Sequence, residues 1–308
     1  MNNLLIIDTA KIPKNPTTAH TRNAIELSKL LGCKLISTKE EIKKLEIKNF
    51  SVFIIVGSAF YPETAAVEAE IRKVNNPRIV WFNNEYQTSP NSEYLRLLKD
   101  FKGNSIIIAN LAEDNNRIKH YSQYYDLNVN LLLYDKPNIT VEKKYNICYY
   151  GSYRAKRRLY FQTYFTDNYI HVSSSTKNLK KFSQLAGGEA NWCDKFSWEK
   201  GKETLNLFKY SLYIEDEYSH DNFTHLANRF YEALNCNVVQ FFDINCRKTI
   251  EQSGIAFKEY YFVNSAKELK EKISKADFET SLKFQQQWNV QAQKERINLI
   301  STLKNILK

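Results

Sequence analysis

The sequence YNICYYGSYRAKRR, residues 145–158, contains the pattern on which the fold prediction depends. Its first six residues are mostly apolar or aromatic and predict a buried β-strand. Gly151 follows directly, and a glycine lets the backbone approach a ligand closely. The basic residues after it open a segment with helical periodicity, residues 154–165. This order predicts one unit of a parallel α/β sheet with a ligand-binding turn.

Short apolar runs alternate with helical patterns on both sides of this stretch. The predicted strands are 3–8, 34–37, 51–57, 78–82, 104–109, 129–133, 145–150, 169–173, 211–215, 238–243 and 260–263. The predicted helices are 22–31, 62–74, 92–99, 154–165, 176–185, 224–235, 265–274 and a polar-rich tail at 276–308. Repeated strand–helix–strand order favours parallel sheets covered on both faces, and therefore the α/β class.

The polar segment DKPN, residues 135–138, interrupts this alternation and predicts a domain boundary. We expect one doubly wound domain at residues 1–137 and a second at 138–287, with the helix 288–308 packing back on the first. Two such domains face a cleft, and ligands bind beyond the carboxyl ends of the strands. Functional side chains should therefore directly follow strands.

The composition predicts a folded cytoplasmic protein and is compatible with an anionic partner. Of its 308 residues, 43% are hydrophobic, and no apolar run approaches the roughly 20 residues of a membrane helix. The first residues lack the basic head and cleavage site of a signal peptide, so we expect the cytoplasm and no membrane partner. The net charge of +10 favours nucleic acid or a phosphorylated donor, although a generic basic surface explains it equally well.

Several motifs are missing from the sequence, and their absence disfavours whole classes of protein. The five cysteines include no C-x-x-C pair, so we expect neither a zinc site nor a disulfide framework. The glycine-rich loops G-x-G-x-x-G and G-x-x-x-x-G-K-[ST] do not occur, which disfavours dinucleotide oxidoreductases and P-loop ATPases. Neither G-x-S-x-G nor H-E-x-x-H occurs.

The residues after Gly151 form the first candidate site. Ser152 can cap the predicted helix, whose N-terminal amides favour phosphate. Arg154 and Arg158 are four residues apart and would share one face of that helix. Guanidinium groups match the oxygens of a diphosphate and would stabilise it as a leaving group. The alternative is a solvated basic face, but cations in a first helical turn oppose the helix dipole, so we favour the diphosphate.

The second candidate site begins with the sequence DNF, residues 221–223, and ends at Glu232. Arg229 and Glu232 are three residues apart on one predicted helix face. The Glu232 carboxylate can accept two hydroxyl hydrogen bonds from a ribose, and Arg229 beside it can hold a diphosphate. Taken alone, the pair is better explained as a surface salt bridge.

Together, the two segments resemble the T-even phage DNA β-glucosyltransferase family, GT-B glycosyltransferases that act on hydroxymethylcytosine in DNA. The family pattern Tyr-Gly-Gly-Ser-Phe-Arg-x-x-x-Arg is similar to residues 150–158. The family's Asp-Asn-Phe, Arg-x-x-Glu and following strand are similar to residues 221–243, with two extra residues before Arg229. The resemblance covers residues 145–290, and over residues 1–140 it rests mainly on strand order.

The resemblance implies a GT-B architecture and an inverting transfer from a UDP-sugar to the hydroxymethyl group of 5-hydroxymethylcytosine in duplex DNA. The sugar stays open between glucose and a pentose such as arabinose. Family members use a divalent cation, Mg²⁺ or Mn²⁺, to help product release, although the sequence shows no cluster of metal ligands. We expect a monomer in the cytoplasm of an infected bacterial host. The residues that the resemblance places at the donor are Gly151, Ser152, Arg154, Arg158, Ser173, Arg229 and Glu232.

An inverting transfer needs a base that takes the proton of the acceptor hydroxyl. The family uses the Asp of Phe-Thr-Asp, just after a strand, and the matching position here is Asn84. Glu85, one residue later, is the natural substitute, with an exposed loop carboxylate as an equally good explanation. His20 is the reserve candidate, although a lone histidine in a polar loop is more often merely solvated.

Phe60 and Tyr61 follow another strand and match a loop in which the family carries aromatic residues. They could fill the gap in duplex DNA from which the target base has been extruded. Packing on the helix that begins at Pro62 explains them slightly better. Two further functions stay open: a GT-B glycosyltransferase with a non-DNA acceptor, and a non-enzymatic DNA-binding protein with a degenerate glycosyltransferase fold.

Overall fold

The computed structural model of the chain describes residues 3–8, 16, 18–56, 64–83, 93–109, 122–137, 141–186, 189–222 and 225–307. The chain divides into two units, Met1–Leu133 with Glu295–Lys308 and Tyr134–Lys294. Among the described residues, each unit contains a parallel sheet of six strands with helices between them. The predicted α/β class, with two separate parallel sheets, is therefore confirmed.

The sheet of the first unit has the strand order β2-β1-β3-β4-β5-β6. Its strands are β1 Leu4–Asp8, β2 Lys34–Ile36, β3 Val52–Val56, β4 Arg78–Asn83, β5 Ser105–Ala109 and β6 Gln123–Asp126. The helices described in this unit are α1 Ala19–Leu31, α2 Lys39–Lys43, α3 Thr64–Ile71 and α4 Glu93–Asp100. The central strands are continuous apolar runs because both faces of a parallel sheet are buried.

The first helix begins earlier than the sequence analysis predicted. The Thr18 side chain accepts a hydrogen bond from the backbone N–H of Thr21, so α1 starts at Ala19 rather than at residue 22. Gly32 ends it in the left-handed conformation, at φ 60°, which a glycine adopts without steric cost. The earlier start places His20 in the first turn of a helix, where only 7% of it is exposed, and not in a solvated loop.

The sheet of the second unit has the strand order β12-β11-β10-β7-β8-β9. Its strands are β7 Tyr145–Tyr150, β8 Thr166–Ser173, β9 Glu189–Cys193, β10 Phe208–Tyr213, β11 Val239–Asp243 and β12 Phe262–Val263. The helices that follow are α5 Arg158–Tyr164, α6 Thr176–Lys181, α7 Glu217–Asn222, α8 Asn228–Asn235, α9 Arg247–Gln252, α10 Ala266–Lys275 and α11 Phe278–Ile306. No helix in the described part of the chain has the length and apolar character needed to cross a bilayer.

The long helix α11 belongs to both units. In the second unit, Trp288 is buried and its ring lies 5.6 Å from that of Phe230. In the first unit, the guanidinium of Arg78 donates a hydrogen bond of 2.6 Å to the carbonyl of Ile306. The last turns of α11 are therefore tied to the start of β4.

One predicted strand is wrong. Residues Val129–Leu133 form a 3₁₀ helix that packs on α1, and the sixth strand of the sheet is β6, a few residues earlier. The segment VNLLL is buried throughout, and a short apolar run fits a buried helical turn as well as a strand. The strand β6 has the sequence QYYD and is partly exposed at the sheet edge, so its sequence lacks an apolar signal.

The sequence analysis also missed four further elements, β9, α2, α7 and α9. For α2 a local signal was present, because Thr38 and Glu41 form a capping box. In it, each side chain accepts a hydrogen bond from the backbone N–H of the other residue. The other three are short and contain few apolar residues at regular spacing, so periodicity does not reveal them.

Candidate functional site

The order in which successive strands join the second sheet reverses at the neighbouring strands β7 and β10. From β7 the chain runs outward through β8 and β9, and it returns to continue on the other side through β10, β11 and β12. The two strands are parallel neighbours, with Tyr210 opposite Ile147. Ligands of such sheets bind beyond the carboxyl ends of the strands at this switch point. The segments that leave this edge, at Gly151 and at Ile214–Asp216, are therefore the candidate site.

Gly151 forms a fixed turn at the end of β7. Its φ is +155°, and a Cβ atom at this position would lie 3.2 Å from the hydroxyl of Tyr149 and 3.6 Å from Nη2 of Arg229. Its N–H donates to the carbonyl of Ser173 at 3.1 Å, and its own carbonyl accepts from the hydroxyl of Ser174 at 2.6 Å. Glycine is favoured here because other residues rarely adopt this positive φ, and a side chain would also press on Tyr149 and fill the space beside Arg229.

A buried ion cluster lies directly beyond this edge. The side chain of Arg157 is 2% exposed, its Nε donates to Asp216 at 2.8 Å, and its Nη2 donates to Glu215. The two carboxylates follow β10, and both are buried. Asp216 also accepts from the backbone N–H and the hydroxyl of Ser219, at 3.0 and 3.1 Å. Since a buried charge is tolerated only when it is paired, the cluster is a unit whose members depend on one another.

Arg229 is the second cation of the cluster. It lies on α8, and its Nη1 donates to the carbonyl of Ile214 at 2.6 Å and lies 2.8 Å from Oε1 of Glu215. The rings of Tyr149 and Tyr213 lie 6.0 and 5.8 Å from its guanidinium carbon. Its other amino group, Nη2, lies beside Gly151. The side chain is 13% exposed, so its guanidinium is held in one place with little contact with solvent.

The charges of the cluster keep its carboxylates ionised. Burial opposes the charge of Glu215, but Arg157, Arg229 and Arg154 lower the pKa of its carboxyl below the ordinary value. Burial also opposes the charge of Asp216, and Arg157 again is the main group that lowers its pKa. Arg157 and Arg229 pair with these carboxylates, and Arg154 adds a third guanidinium whose charge acts on both of them. The edge of the sheet is therefore electrostatically suited to an anion.

The structure corrects the predicted roles of Ser152 and of the pair Arg154 and Arg158. The helix α5 begins at Arg158 and follows a 3₁₀ turn at Ala155–Arg157. The N-cap residue is Arg154 for the turn and Arg157 for the helix, and neither makes a side-chain capping hydrogen bond. Ser152 therefore caps no helix. Arg154 has extended backbone, φ −128° and ψ 130°, so it shares no helical face with Arg158. Both arginines are exposed, and Arg154 still lies near enough to affect Glu215 and Asp216.

Ser173 supports the Gly151 turn from the end of β8. Its hydroxyl donates to the carbonyl of Asp194 at 2.8 Å and accepts from the backbone N–H of Phe196 at 3.0 Å. The side chain is thus engaged with the loop after β9, and its carbonyl accepts from Gly151.

Glu232 lies on α8, one turn after Arg229, and is 1% exposed. Its carboxylate accepts from the side-chain amide of Asn228 at 2.9 Å. The hydroxyl of Tyr150 donates to the carbonyl of Arg229 at 2.6 Å and so fixes the start of α8 against β7. Both residues of the second predicted motif therefore lie in the unit that carries the Gly151 turn, and Arg229 lies in direct proximity to it.

The remaining predicted residues belong to the first unit. His20 is buried in the first turn of α1, which follows β1 at the switch point between β1 and β3. Glu85, Phe60 and Tyr61 lie outside the described residues. In the described ranges, no group of three or more His, Cys, Asp and Glu side chains is placed to hold a metal ion, so we assign no ligands to a divalent cation.

The sequence analysis did not select Arg157, Glu215 or Asp216. A signal for the two carboxylates was present, because they come directly after the apolar strand LYI at residues 212–214. Arg157 stands among four basic residues within 154–158, and nothing in their order shows which one turns inward.

Two units with parallel six-stranded sheets of this order define the GT-B class of fold. Three solved structures of T4 phage β-glucosyltransferase share the fold. The structure solved to study substrate binding and the catalytic mechanism has a TM-score of 0.72 at 14% identity. The complex with UDP-glucose has a TM-score of 0.71 at 15% identity, and the complex with UDP and Mn²⁺ has 0.71 at 14%.

Each of these alignments covers 99% of both chains. At such low identity the likeness shows the fold, and at that level it confirms the resemblance seen in the sequence. No protein-family model and no curated protein matches the sequence.

Proposed function

We propose that this chain is a glycosyltransferase that moves a sugar from a UDP-sugar to the hydroxymethyl group of 5-hydroxymethylcytosine in duplex DNA. The second unit would hold the donor, and the first would receive the acceptor. The observation that carries the proposal is the guanidinium of Arg229, held beside Gly151 at the switch point of the second sheet. The T4 phage enzyme whose fold the chain shares was solved with UDP-glucose, which supports the same class of donor here.

In the proposed reaction the acceptor hydroxyl attacks the anomeric carbon of the sugar. A glycosidic C–O bond forms while the bond from that carbon to the phosphate oxygen breaks, and the configuration inverts. The UDP leaves with the electron pair, and the hydroxyl proton passes to the base. Arginines at the diphosphate stabilise the negative charge that develops on the leaving group.

The roles of the donor residues follow from their chemistry. Arg229, together with Arg154 and Arg158 from the segment after β7, would contact the diphosphate, and Glu232 would accept hydrogen bonds from the ribose hydroxyls. Gly151 would let the phosphates approach the backbone, while Ser152 and Ser173 would shape the adjoining loop. A divalent cation, Mg²⁺ or Mn²⁺, would bind together with UDP, since the T4 phage enzyme whose fold the chain shares was solved with UDP and Mn²⁺.

The acceptor proposal rests on charge and on the sequence resemblance. The net charge of +10 suits a polyanion such as DNA. A hydroxymethyl oxygen is a nucleophile that unmodified cytosine lacks, and the base must leave the stack before an enzyme can reach it. Phe60 and Tyr61 are the residues proposed to fill the resulting gap.

Sugar transfer by the purified protein tests the proposal. The protein is incubated with UDP-glucose, UDP-arabinose or other nucleotide sugars, and the nucleosides of the DNA are analysed by mass spectrometry. We expect a product on hydroxymethylated duplex DNA and none on unmodified DNA. Binding to DNA should weaken steeply between about 50 and 200 mM salt. Transfer only to a polysaccharide, protein or small molecule would contradict the DNA acceptor and leave the donor proposal intact.

Replacing Arg229 by alanine is expected to weaken UDP binding by at least about tenfold, because a hydrogen bond to a charged group contributes about 1.5–3 kcal/mol. Isothermal titration calorimetry measures the effect. Arg247→Ala is the matched control, since Arg247 is also ion-paired in this unit but its partner Glu259 is 73% exposed. Unchanged UDP affinity in a folded Arg229→Ala protein would contradict the assignment of the donor site.

A further inference from the structure

We propose that Glu215 is a positioning residue, which holds the guanidinium of Arg229 beside Gly151 and orients it toward the donor diphosphate. The inference rests on the proposed function, because the arginine is taken to contact the donor. In this role Glu215 does not itself contact the donor. Its negative charge, taken alone, would repel the donor diphosphate.

The geometry of Glu215 shows a bridge between two cations. One carboxylate oxygen lies 2.8 Å from Nη1 of Arg229, and the other accepts from Nη2 of Arg157. The carbonyl of Ile214, the residue before it, accepts from the same Nη1 of Arg229 at 2.6 Å. Two consecutive residues after β10 therefore hold one amino group of Arg229, and Nη2 is left facing Gly151.

The bridge is itself anchored in the interior. Arg157 is 2% exposed and is held on its other side by Asp216, at 2.8 Å from Nε. Asp216 is fixed by two hydrogen bonds from Ser219 at the start of α7. A chain of charged contacts thus runs from α7 through Arg157 and Glu215 to Arg229. Its ion pairs with Arg157 are buried, and the pair with Arg229 is nearly so, and such interactions are screened much less than at the surface.

Holding the side chain of Arg229 in place reduces the entropy that is lost when it binds a phosphate. A free arginine side chain has many rotamers, and ordering it on a phosphate opposes binding. An arginine that is already ordered by its neighbours binds without this loss. The alternative is that Glu215 merely balances charge in the fold. The two explanations predict opposite signs, because removal of a nearby negative charge by itself strengthens the binding of an anion.

The test measures the affinity for UDP by calorimetry in the wild type, Glu215→Gln, Arg229→Ala and the double variant. We expect Glu215→Gln to weaken UDP binding by about tenfold, and to leave the affinity for uridine, which lacks phosphate, unchanged. In the Arg229→Ala background, Glu215→Gln should have no further effect, because it acts through that arginine. Tighter or unchanged UDP binding in Glu215→Gln, or losses that simply add, would overturn the inference.

Glu215→Asp keeps the test valid if the glutamine variant fails to fold. It preserves every charge of the cluster but shortens the side chain by one methylene, so the carboxylate no longer reaches both arginines. We expect a UDP affinity between those of the wild type and Arg229→Ala, and an affinity equal to the wild type would overturn the inference. A wild-type protein that binds no UDP would refute the proposed function itself, whereas normal UDP binding with an inert Glu215→Asp refutes only the role of Glu215.

Discussion

Replacing Glu85 by glutamine is expected to abolish sugar transfer while the affinity for UDP stays unchanged. A general base contributes about 10²- to 10⁴-fold to a rate, and glutamine keeps the shape of the side chain but cannot take a proton. The choice of Glu85 rests on β4, a central strand of the first sheet that ends at Asn83. The carboxyl end of β4 lies at the edge of the sheet beyond which ligands of such sheets bind.

The measurement is kcat for transfer to hydroxymethylated DNA, with UDP binding measured beside it. The matched variant is His20→Ala, because His20 lies in the first turn of α1, after β1 of the same sheet. Normal kcat in Glu85→Gln together with loss of kcat in His20→Ala would exchange the two roles. Normal kcat in both variants would mean that the first half of the chain is wrongly aligned with the family.

Replacing Arg157 by methionine is expected to destabilise the second unit by about 3–5 kcal/mol, the usual result of removing one partner from a buried ion pair. Methionine fills a similar volume but leaves Glu215 and Asp216 without their shared cation. Chemical denaturation followed by circular dichroism gives the free energy of unfolding. The control is Arg247→Met, which removes an ion pair with an exposed carboxylate and should cost about 1 kcal/mol or less. Equal losses in the two variants would contradict the role of the buried cluster.

The same cluster predicts how stability depends on pH. The pKa values of Glu215 and Asp216 in the folded protein lie below those of the unfolded chain, because Arg157 favours their charged forms against the effect of burial. Their contribution is therefore complete above about pH 5 and is lost as the pH falls through the folded-state pKa values. We expect the wild-type free energy of unfolding to fall steeply in acid, and that of Arg157→Met to fall less. Parallel pH profiles for the two proteins would show that Arg157 does not set these pKa values.

The sequence by itself determined the fold class and the elements that carry the candidate site. Short apolar runs such as LLIID and VFIIV mark strands that are buried on both faces, and their alternation with helical patterns is sufficient to predict parallel sheets. Gly151 was identifiable because it directly follows a strand. Arg229 was identifiable because its segment resembles a known family. Both predictions depend on residues that are close together in the sequence.

Only the tertiary structure decided which arginine turns inward and what holds it. The helix after Gly151 begins at Arg158 and not near Ser152, and the intervening turn directs Arg157 into the interior while Arg154 stays exposed. A guanidinium can be buried only where carboxylates are available to pair with it. These carboxylates, Glu215 and Asp216, come from the segment that follows β10, more than fifty residues later in the chain. That pairing arises because β7 and β10 are neighbours in the sheet, a fact that no local pattern in the sequence contains.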